Sequence, residues 1–196
     1  MNTAIITLDF INDICHPKGQ ISAAAPRVHK NRVIENTNKL LMWGRARHHL
    51  ICHIRVAFST DYREFSSNSP LFSYIKDIGA LRQKSWGTAF VDELNITDSD
   101  ISIYKRRVSG FYGTELPVLI ASNNIERIVL CGVSTQNTVE LTAREAHDRD
   151  FSVLIASDAC ESDTEYNKQN SLNFLTKIGS VKTVDEIIAS EGVSKP

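Results

Sequence analysis

Three polar residues that can carry acid–base or nucleophilic chemistry stand at the ends of apolar, strand-like segments. Asp9 follows "TAIITL", Lys105 closes "DISIYK", and Thr138 lies beyond "RIVLCG" in the polar stretch "CGVSTQNTVE". A carboxyl group beside a lysine can act as a general acid or base. An alcohol such as Thr138 needs a strong adjacent base before it can attack a substrate. If the fold brings these residues together, they indicate acid–base chemistry.

Strands and helices alternate along the chain and must position these residues. Short apolar runs rich in β-branched residues predict strands over residues 3–8, 50–56, 100–106, 127–132, 151–157 and 180–184. Helical spacing of apolar residues predicts helices over residues 26–47, 113–124, 135–149 and 163–179, with a further helix near the C-terminus. This alternation predicts an α/β fold in which a parallel sheet is covered by helices on both faces, a three-layer α/β/α sandwich.

The helix predicted over residues 26–47 begins at Pro26, a residue that is favoured in the first turn of a helix. Its predicted buried face holds the residues at helical spacing, which are Val33, Thr37, Leu40, Leu41 and Gly44. The segment 57–99 is irregular, and long irregular segments inside compact domains are often functional. Because we find no linker and no internal repeat, we predict a single domain over residues 1–196.

Composition excludes several classes of protein. The chain has 196 residues, 42% hydrophobic and 23% charged, with a net charge of -1, so a nucleic acid or an anionic membrane is not an expected partner. It has no apolar run of the roughly 18–20 residues that a membrane span needs. The N-terminus lacks the pattern of a signal peptide, so we predict a cytoplasmic protein. The cysteines show no C-x-x-C pair, which predicts buried thiols rather than disulfides or a zinc site.

The carboxyl ends of parallel strands are where ligands usually bind in an open α/β sheet. The residues expected at that edge are Asp9, Arg55, Lys105 and the turn 133–138. An isolated aspartate in such a place is often a turn former or a helix cap. The sequence periodicity alone does not bring these strand ends together.

Three longer stretches contain these residues in a fixed order. "LDFINDICHPKG" (8–19) is similar to a D-x-x-N-D-F-C-x-P-x-G motif, and "YKRRVSGFYGTEL" (104–116) to K-x-x-x-S-A-F-x-x-T-x-L. "LCGVSTQNTVELTAREAHDRDFSVLIASDAC" (130–160) is similar to G-V-x-T-x-x-C-V-x-x-T-A-R-x-A-x-D-x-G-Y followed by D-A-C. Together these blocks resemble the isochorismatase-like hydrolase superfamily, which is also called the cysteine hydrolase superfamily.

The resemblance implies a fold, an activity and a set of site residues. The fold is a six-stranded parallel sheet flanked by helices, and the protein is expected to be a hydrolase of small molecules that forms homodimers or larger homo-oligomers. Asp9 matches the acid/base aspartate and Lys105 the catalytic lysine. The bond between Val133 and Ser134 matches a peptide that is often cis, and the backbone N–H groups of Ser134 and Thr138 match an oxyanion hole.

The sequence departs from the superfamily pattern at the nucleophile. Thr138 stands where the resemblance places the reactive cysteine. No other thiol is a good replacement, because Cys131 lies inside a predicted strand and Cys160 matches the D-A-C position. Cys15 matches a common residue of the loop after Asp9. We therefore predict that Thr138 lines the pocket or orients water rather than attacking the substrate.

A second departure concerns metal binding. The stretch "DYREFSSNS" aligns with the metal-binding segment of nicotinamidase-type members, which is similar to D-x-H followed by a second histidine. Asp61 matches the aspartate, but Arg63 and Ser67 stand at the positions of the two histidines. His16 and His53 are isolated in the sequence and show no ligand pattern. We predict that the protein has no zinc site and no cofactor, and therefore that it is not a nicotinamidase.

The first functional hypothesis is hydrolysis without a covalent intermediate. True isochorismatases have a residue other than cysteine at the nucleophile position and cleave a vinyl ether by proton donation. Asp9 is then the general acid, Lys105 holds Asp9, and a guanidinium of Arg55 or Arg63 pairs with a substrate carboxylate. The predicted pocket wall contains Trp86, Ser109 and Phe111.

Two alternatives remain open. "GVSTQNTVE" differs from the G-V-Y-x-H pattern associated with true isochorismatases, so an amide bond attacked by Thr138 or by activated water is the second hypothesis. The third is a binding protein that has kept the fold but not the activity. A nucleotide-binding domain is rejected, because neither G-x-G-x-x-G nor G-x-x-x-x-G-K-[ST] follows any predicted strand.

Overall fold

The computed structural model describes residues 1–192, and a six-stranded sheet forms the centre of this part of the chain. In chain order the strands are β1 (Thr3–Leu8), β2 (Leu50–Val56), β3 (Ile101–Lys105), β4 (Arg127–Val133), β5 (Ser152–Glu161) and β6 (Ser180–Lys182). All neighbours pair in parallel, in the order β3-β2-β1-β4-β5-β6. The predicted parallel sheet is confirmed.

Helices flank the sheet. They are α1 (Asn12–Cys15), α2 (Ala25–Lys30), α3 (Val33–Ala46), α4 (Pro70–Asp77), α5 (Leu116–Ser122), α6 (Glu140–Asp148), α7 (Glu165–Leu175) and α8 (Val184–Gly192). Helix α3 packs with α8, helix α6 packs with α7, and all four contact β5. This is the predicted α/β/α arrangement. None of the helices in residues 1–192 is both long and apolar enough to cross a membrane.

The prediction of one helix over residues 26–47 is wrong, because two helices cover this range. Arg32 has a φ of 54°, in the left-handed region that a continuous helix cannot contain, so α2 and α3 are separate. The predicted buried face of α3 is confirmed. At Gly44 a Cβ atom would lie 2.2 Å from Cδ1 of Ile5, so a larger residue here would require the end of the Ile5 side chain to move.

Other helix boundaries also differ from the prediction. Helix α5 begins at Leu116 rather than residue 113, where Gly113 has a φ of 66°. The helix predicted over residues 135–149 starts with a π-helical turn, Thr135–Val139, before α6. The irregular segment 57–99 contains α4 and a short 3₁₀ helix, Trp86–Thr88. These differences leave the order of elements unchanged.

The position of β1 determines where the functional residues meet. All six of its residues are buried, as expected for a strand between two others and covered by helices on both faces. β1 pairs with β2 up to Leu8 and Ile54, and with β4 up to Leu8 and Gly132. The carboxyl ends of β1, β2 and β4 therefore lie side by side, with β3 next to β2.

Candidate active site

A buried ion pair joins the ends of two strands. Asp9 follows β1 and Lys105 ends β3, with β2 between them. Nζ of Lys105 lies 2.7 Å from Oδ2 of Asp9, and the side chains are 2% and 4% exposed. The backbone N–H of Val56 donates to Oδ1 of Asp9 at 2.6 Å. Both carboxyl oxygens of Asp9 thus have a fixed partner, which holds the group in one orientation.

The Lys105 ammonium is fully engaged by the protein. Besides the contact with Asp9, it donates to the backbone carbonyls of Val108 at 2.9 Å and Arg107 at 3.3 Å. An ammonium group has three N–H donors, and these three acceptors use them all. Lys105 therefore holds Asp9 and the loop that follows β3, rather than presenting a free cation to a ligand.

Thr138 lies in the π-helical turn between β4 and α6. Its hydroxyl donates to the Val108 carbonyl at 3.2 Å, the same oxygen that accepts from Lys105. The carbonyl of Thr138 accepts from the Thr142 hydroxyl at 2.6 Å, and Thr142 in turn accepts from the backbone N–H of Gly110 at 2.9 Å. These bonds connect the turn after β4 with the loop after β3. A carbonyl is not a base, so this contact does not activate the Thr138 alcohol.

The residues between β4 and Thr138 form the remaining edge of the site. The peptide bond between Val133 and Ser134 is cis. The Ser134 hydroxyl accepts from the side-chain amide of Asn137 at 2.9 Å. At Gly132 a Cβ atom would lie 2.4 Å from the Leu8 carbonyl oxygen, so the absence of a side chain allows β4 to approach β1 just before Asp9. The oxyanion hole formed by Ser134 and Thr138 stays a prediction.

These residues surround an inner cavity of about 110 Å³. Its polar lining contains Asp9, Lys105, Arg107, Ser134, Asn137 and Thr138, and its apolar lining contains Ile14, Ile21, Val56, Leu71, Phe72, Ile75, Leu81, Val108 and Val133. Two larger spaces share walls with it. A vestibule of about 560 Å³ shares Leu71, Ile75 and Asn137, among others. A side cleft of about 310 Å³ shares Phe72, Arg107 and Val108.

Comparison with known proteins places this geometry in a family. The family model described as "Isochorismatase domain" matches residues 3–186. The chain belongs to the isochorismatase family. It is 33% identical over 187 residues to the uncharacterized isochorismatase family protein YecD of Escherichia coli O157:H7, covering 95% of this chain and 94% of that protein.

Two further comparisons agree with the family membership. The chain is 27% identical over 198 residues to the ureidoacrylate amidohydrolase RutB of Klebsiella pneumoniae, covering 93% of this chain and 84% of that protein. The crystal structure of an isochorismatase-like hydrolase from Alkaliphilus metalliredigens superposes with a TM-score of 0.81 at 28% identity, over 97% of this chain and 99% of that one. This isochorismatase-family chain is a hydrolase by class, and the fold prediction is confirmed.

The structure places Arg55 and Arg63 away from the inner cavity. Side chains alternate across a strand, so when Val56 faces the cavity its neighbour Arg55 faces the other way. The Arg55 guanidinium lies 4.3 Å from the Phe90 ring centre and donates to the Thr88 carbonyl. Arg63 is 74% exposed and pairs with Asp61. Neither arginine lines the inner cavity, and binding of a substrate carboxylate by Arg55 or Arg63 stays a prediction.

The three residues predicted for the pocket wall also take other positions. Trp86 is 53% exposed and meets the edge of the His16 ring, with centroids 5.0 Å apart. Phe111 is buried and stacks on Phe151. Ser109 lines the side cleft, where its hydroxyl donates to Glu145 at 2.5 Å. Of the three, Ser109 lines one of these spaces, and the role of Trp86 and Phe111 in binding a substrate stays a prediction.

Sequence reasoning missed the residues that complete the cavity. Arg107 stands two positions after Lys105 within a quoted block, but nothing in the sequence showed which neighbouring arginine faces inward. Helix α4 contributes Leu71, Phe72 and Ile75 to the wall. A helical spacing of apolar residues within "PLFSYI" was the available signal, in the segment where the irregular pattern predicted function.

None of the four cysteines, Cys15, Cys52, Cys131 and Cys160, is in a position to replace a nucleophile. All four are buried and none lines the inner cavity. Burial raises the pKa of Cys160 and of Cys52 to about 12, and it raises the pKa of Cys15 and Cys131 well above the ordinary range. A thiol needs its thiolate form to attack, and burial disfavours that form in all four. Within residues 1–192 there is also no cluster of three or more His, Cys, Asp or Glu side chains that could hold a metal ion.

Proposed function

We propose that this isochorismatase-family protein hydrolyses a small carboxylate-bearing vinyl ether of the isochorismate type, without a covalent enzyme intermediate. One observation carries the proposal. A buried carboxyl group, Asp9, is oriented by Lys105 at the wall of a cavity where Thr138 contacts a carbonyl oxygen instead of a base. This arrangement favours proton transfer by Asp9 over nucleophilic attack by Thr138.

In the proposed reaction, protonated Asp9 donates its proton to the terminal carbon of the vinyl ether. The carbon that bears the ether oxygen becomes an oxocarbenium-like cation, and water adds to it. The hemiketal then collapses to pyruvate and a dihydroxy-cyclohexadiene acid, and the proton released returns to Asp9. Lys105 stabilises the Asp9 carboxylate while the proton is on the substrate, because its ammonium lies 2.7 Å away.

The dimensions of the site support a substrate that reacts at one end. Pockets for a whole small molecule typically measure about 300–1,000 Å³. The inner cavity, at about 110 Å³, has room for a vinyl ether group and not for a substituted ring. We place the reacting end in the inner cavity and the remainder of the substrate in an adjoining space. The apolar walls limit access of bulk water to the cation.

Amide hydrolysis is a second candidate, because one relative at 27% identity is named as a ureidoacrylate amidohydrolase. In that reaction water, or the Thr138 hydroxyl, attacks a carbonyl carbon, and the proposed oxyanion hole at Ser134 and Thr138 holds the developing charge. Asp9 then accepts a proton from the attacking group and passes it to the leaving nitrogen. The Thr138 contact with Val108 argues for water as the attacking group.

The deciding experiment measures pyruvate released from isochorismate by the purified protein, with Asp9→Asn as the matched variant. Asparagine keeps the size of the side chain and one of its two acceptor oxygens, so it can accept from Val56 or from Lys105 but not from both, and circular dichroism establishes that the variant is folded. We expect the wild type to turn over and Asp9→Asn to lose about 10²-fold or more in kcat, the usual contribution of a general acid. A folded Asp9→Asn with unchanged kcat contradicts the role of Asp9. A wild type that releases no pyruvate removes isochorismate and leads to an amide panel, and inactivity on both supports a binding protein.

A further inference from the structure

The cations around the site are few. Among residues 1–192, the walls of the inner cavity, the vestibule and the side cleft contain two cationic side chains, Lys105 and Arg107. Lys105 has already used its three donors on Asp9 and on two backbone carbonyls. Arg107 is therefore the positive group that can meet a negatively charged ligand here.

The Arg107 side chain is held in place by one of its nitrogens. Nη1 donates to the Arg106 carbonyl at 2.7 Å and to the Glu64 carbonyl at 3.1 Å. The guanidinium carbon also lies 5.8 Å from the centre of the Phe72 ring. Within residues 1–192 the hydrogen bonds of Arg107 use Nη1 alone, and no carboxylate forms an ion pair with it. Its Nε and Nη2 donors are left for a ligand, and they lie in the planar arrangement that matches a carboxylate.

Arg107 stands where two of the spaces join. It lines both the inner cavity and the side cleft, together with Phe72 and Val108. The remaining cleft residues are Ser109, Tyr112, Leu141 and Glu145. The Glu145 carboxylate is already compensated, because Ser109 donates to one oxygen and Arg149 to the other. The cleft thus offers one uncompensated positive group beside apolar surface.

We infer that Arg107 binds a carboxylate of the substrate and thereby sets its orientation. The inference rests on the proposed function and specifies its substrate class. The substrate is a small acid whose carboxylate lies within a few ångströms of the bond that Asp9 protonates, with its carbon frame in the side cleft. A neutral analogue of the same shape leaves the guanidinium without its partner and binds more weakly.

A binding measurement tests this site without requiring turnover. Benzoate and benzamide have the same shape and differ in charge, so calorimetric titration of both gives the preference for a carboxylate. We expect the wild type to bind benzoate about tenfold more tightly than benzamide, as one charge-assisted contact provides. Arg107→Gln keeps an N–H donor for the backbone carbonyls and removes the charge. Arg107→Gln is expected to reduce the preference for benzoate over benzamide to less than about twofold. Arg107→Lys is expected to show a preference between those of the wild type and Arg107→Gln.

The matched control is Arg106→Gln, which removes a charge from the neighbouring residue of the same loop. Arg106 pairs with Glu64 and does not line the three spaces, so the preference for benzoate is expected to persist. A folded Arg107→Gln that keeps the full preference overturns the inference, and so does a wild type that shows none. If isochorismate is not turned over while the preference depends on Arg107, the vinyl ether proposal fails and the carboxylate site remains.

Discussion

At the scale of residues, one backbone oxygen connects the two halves of the site. The Val108 carbonyl accepts from the Lys105 ammonium at 2.9 Å and from the Thr138 hydroxyl at 3.2 Å. Lys105 holds Asp9, the carboxyl group that is proposed to transfer protons, and Thr138 belongs to the turn that carries the proposed oxyanion hole. The relative position of these groups therefore depends on the loop after β3.

The first prediction separates a positioning role of Thr138 from a nucleophilic one. Thr138→Ala removes one hydrogen bond to a carbonyl, so we expect kcat/KM to fall less than about tenfold. Thr138→Cys is expected to bring no gain in amide hydrolysis, because no base lies beside the side chain. Steady-state kinetics on the vinyl ether and on an amide panel measure both effects. A loss of 10³-fold in Thr138→Ala, or a marked gain in Thr138→Cys, points instead to attack by residue 138.

The sequence predicted that some of these residues lie together and did not predict others, for a physical reason. Asp9, Lys105 and Thr138 stand at the ends of strands or just beyond them, and the order of strands in a parallel sheet brings those ends together. The Arg107 side chain lines the inner cavity and the Arg55 side chain does not. The direction of each side chain depends on strand register and on loop conformation. Those are properties of the folded chain, so the sequence alone did not distinguish the two arginines.

At the scale of elements, a buried polar chain ties the central strands to the segment before β3. Nδ1 of His53 lies 2.8 Å from the Thr7 hydroxyl, and Nε2 lies 3.2 Å from Oδ2 of Asp100. Arg45 donates to the same carboxylate at 2.6 Å. The bonds from Arg45, Thr97 and His53 outweigh desolvation and lower the pKa of Asp100 to about 2, from 3.8.

A pH-dependent stability follows from this pKa. The carboxylate of Asp100 is favoured in the folded state, so its contribution is fully present above pH 4 and is lost as the pH falls towards 2. We expect Asp100→Asn to lower the free energy of unfolding at pH 7 by about 2 kcal/mol. We also expect the free energy of unfolding of this variant to change less with pH between pH 4 and 2 than that of the wild type. Urea denaturation across that range measures the effect. Asp98→Asn, an exposed acid two residues away, is the control and should change stability by less than about 0.5 kcal/mol. Equal behaviour of the two variants contradicts the prediction.

The elements themselves were largely predictable, because their signals are local. The bounds of β1 and β2 follow directly from the apolar runs over residues 3–8 and 50–56. The split between α2 and α3 was missed, since Arg32 is not a residue type that marks a left-handed backbone. The π-helical turn before α6 was also missed, because the helical spacing of apolar side chains does not distinguish it from the first turn of an α-helix.

At the scale of the whole molecule, the predicted homo-oligomer stays a prediction. Several large apolar side chains are exposed near the connected spaces, among them Leu71 at 50%, Tyr74 at 55% and Tyr112 at 65%. Exposed apolar groups of this kind are frequent at contacts between subunits. We expect sedimentation equilibrium at micromolar concentration to give at least twice the mass of one chain. A mass of one chain at micromolar concentration refutes the expectation.

The central place of β1 in the sheet has a consequence for biosynthesis. β1 is made first, yet one of its partners, β2, follows after residue 50 and the other, β4, only after residue 127. At ~5–20 residues per second of translation, the emerging chain carries a strand that is fully buried in the folded protein, with one unpaired edge, for on the order of ten seconds. Asp9 meets Lys105 only after β3 has been made, so the proposed catalytic centre cannot form before residue 105 has been translated. A nascent chain that is arrested before residue 127 exposes one edge of this strand, and an unpaired edge of this kind is prone to pair with other chains.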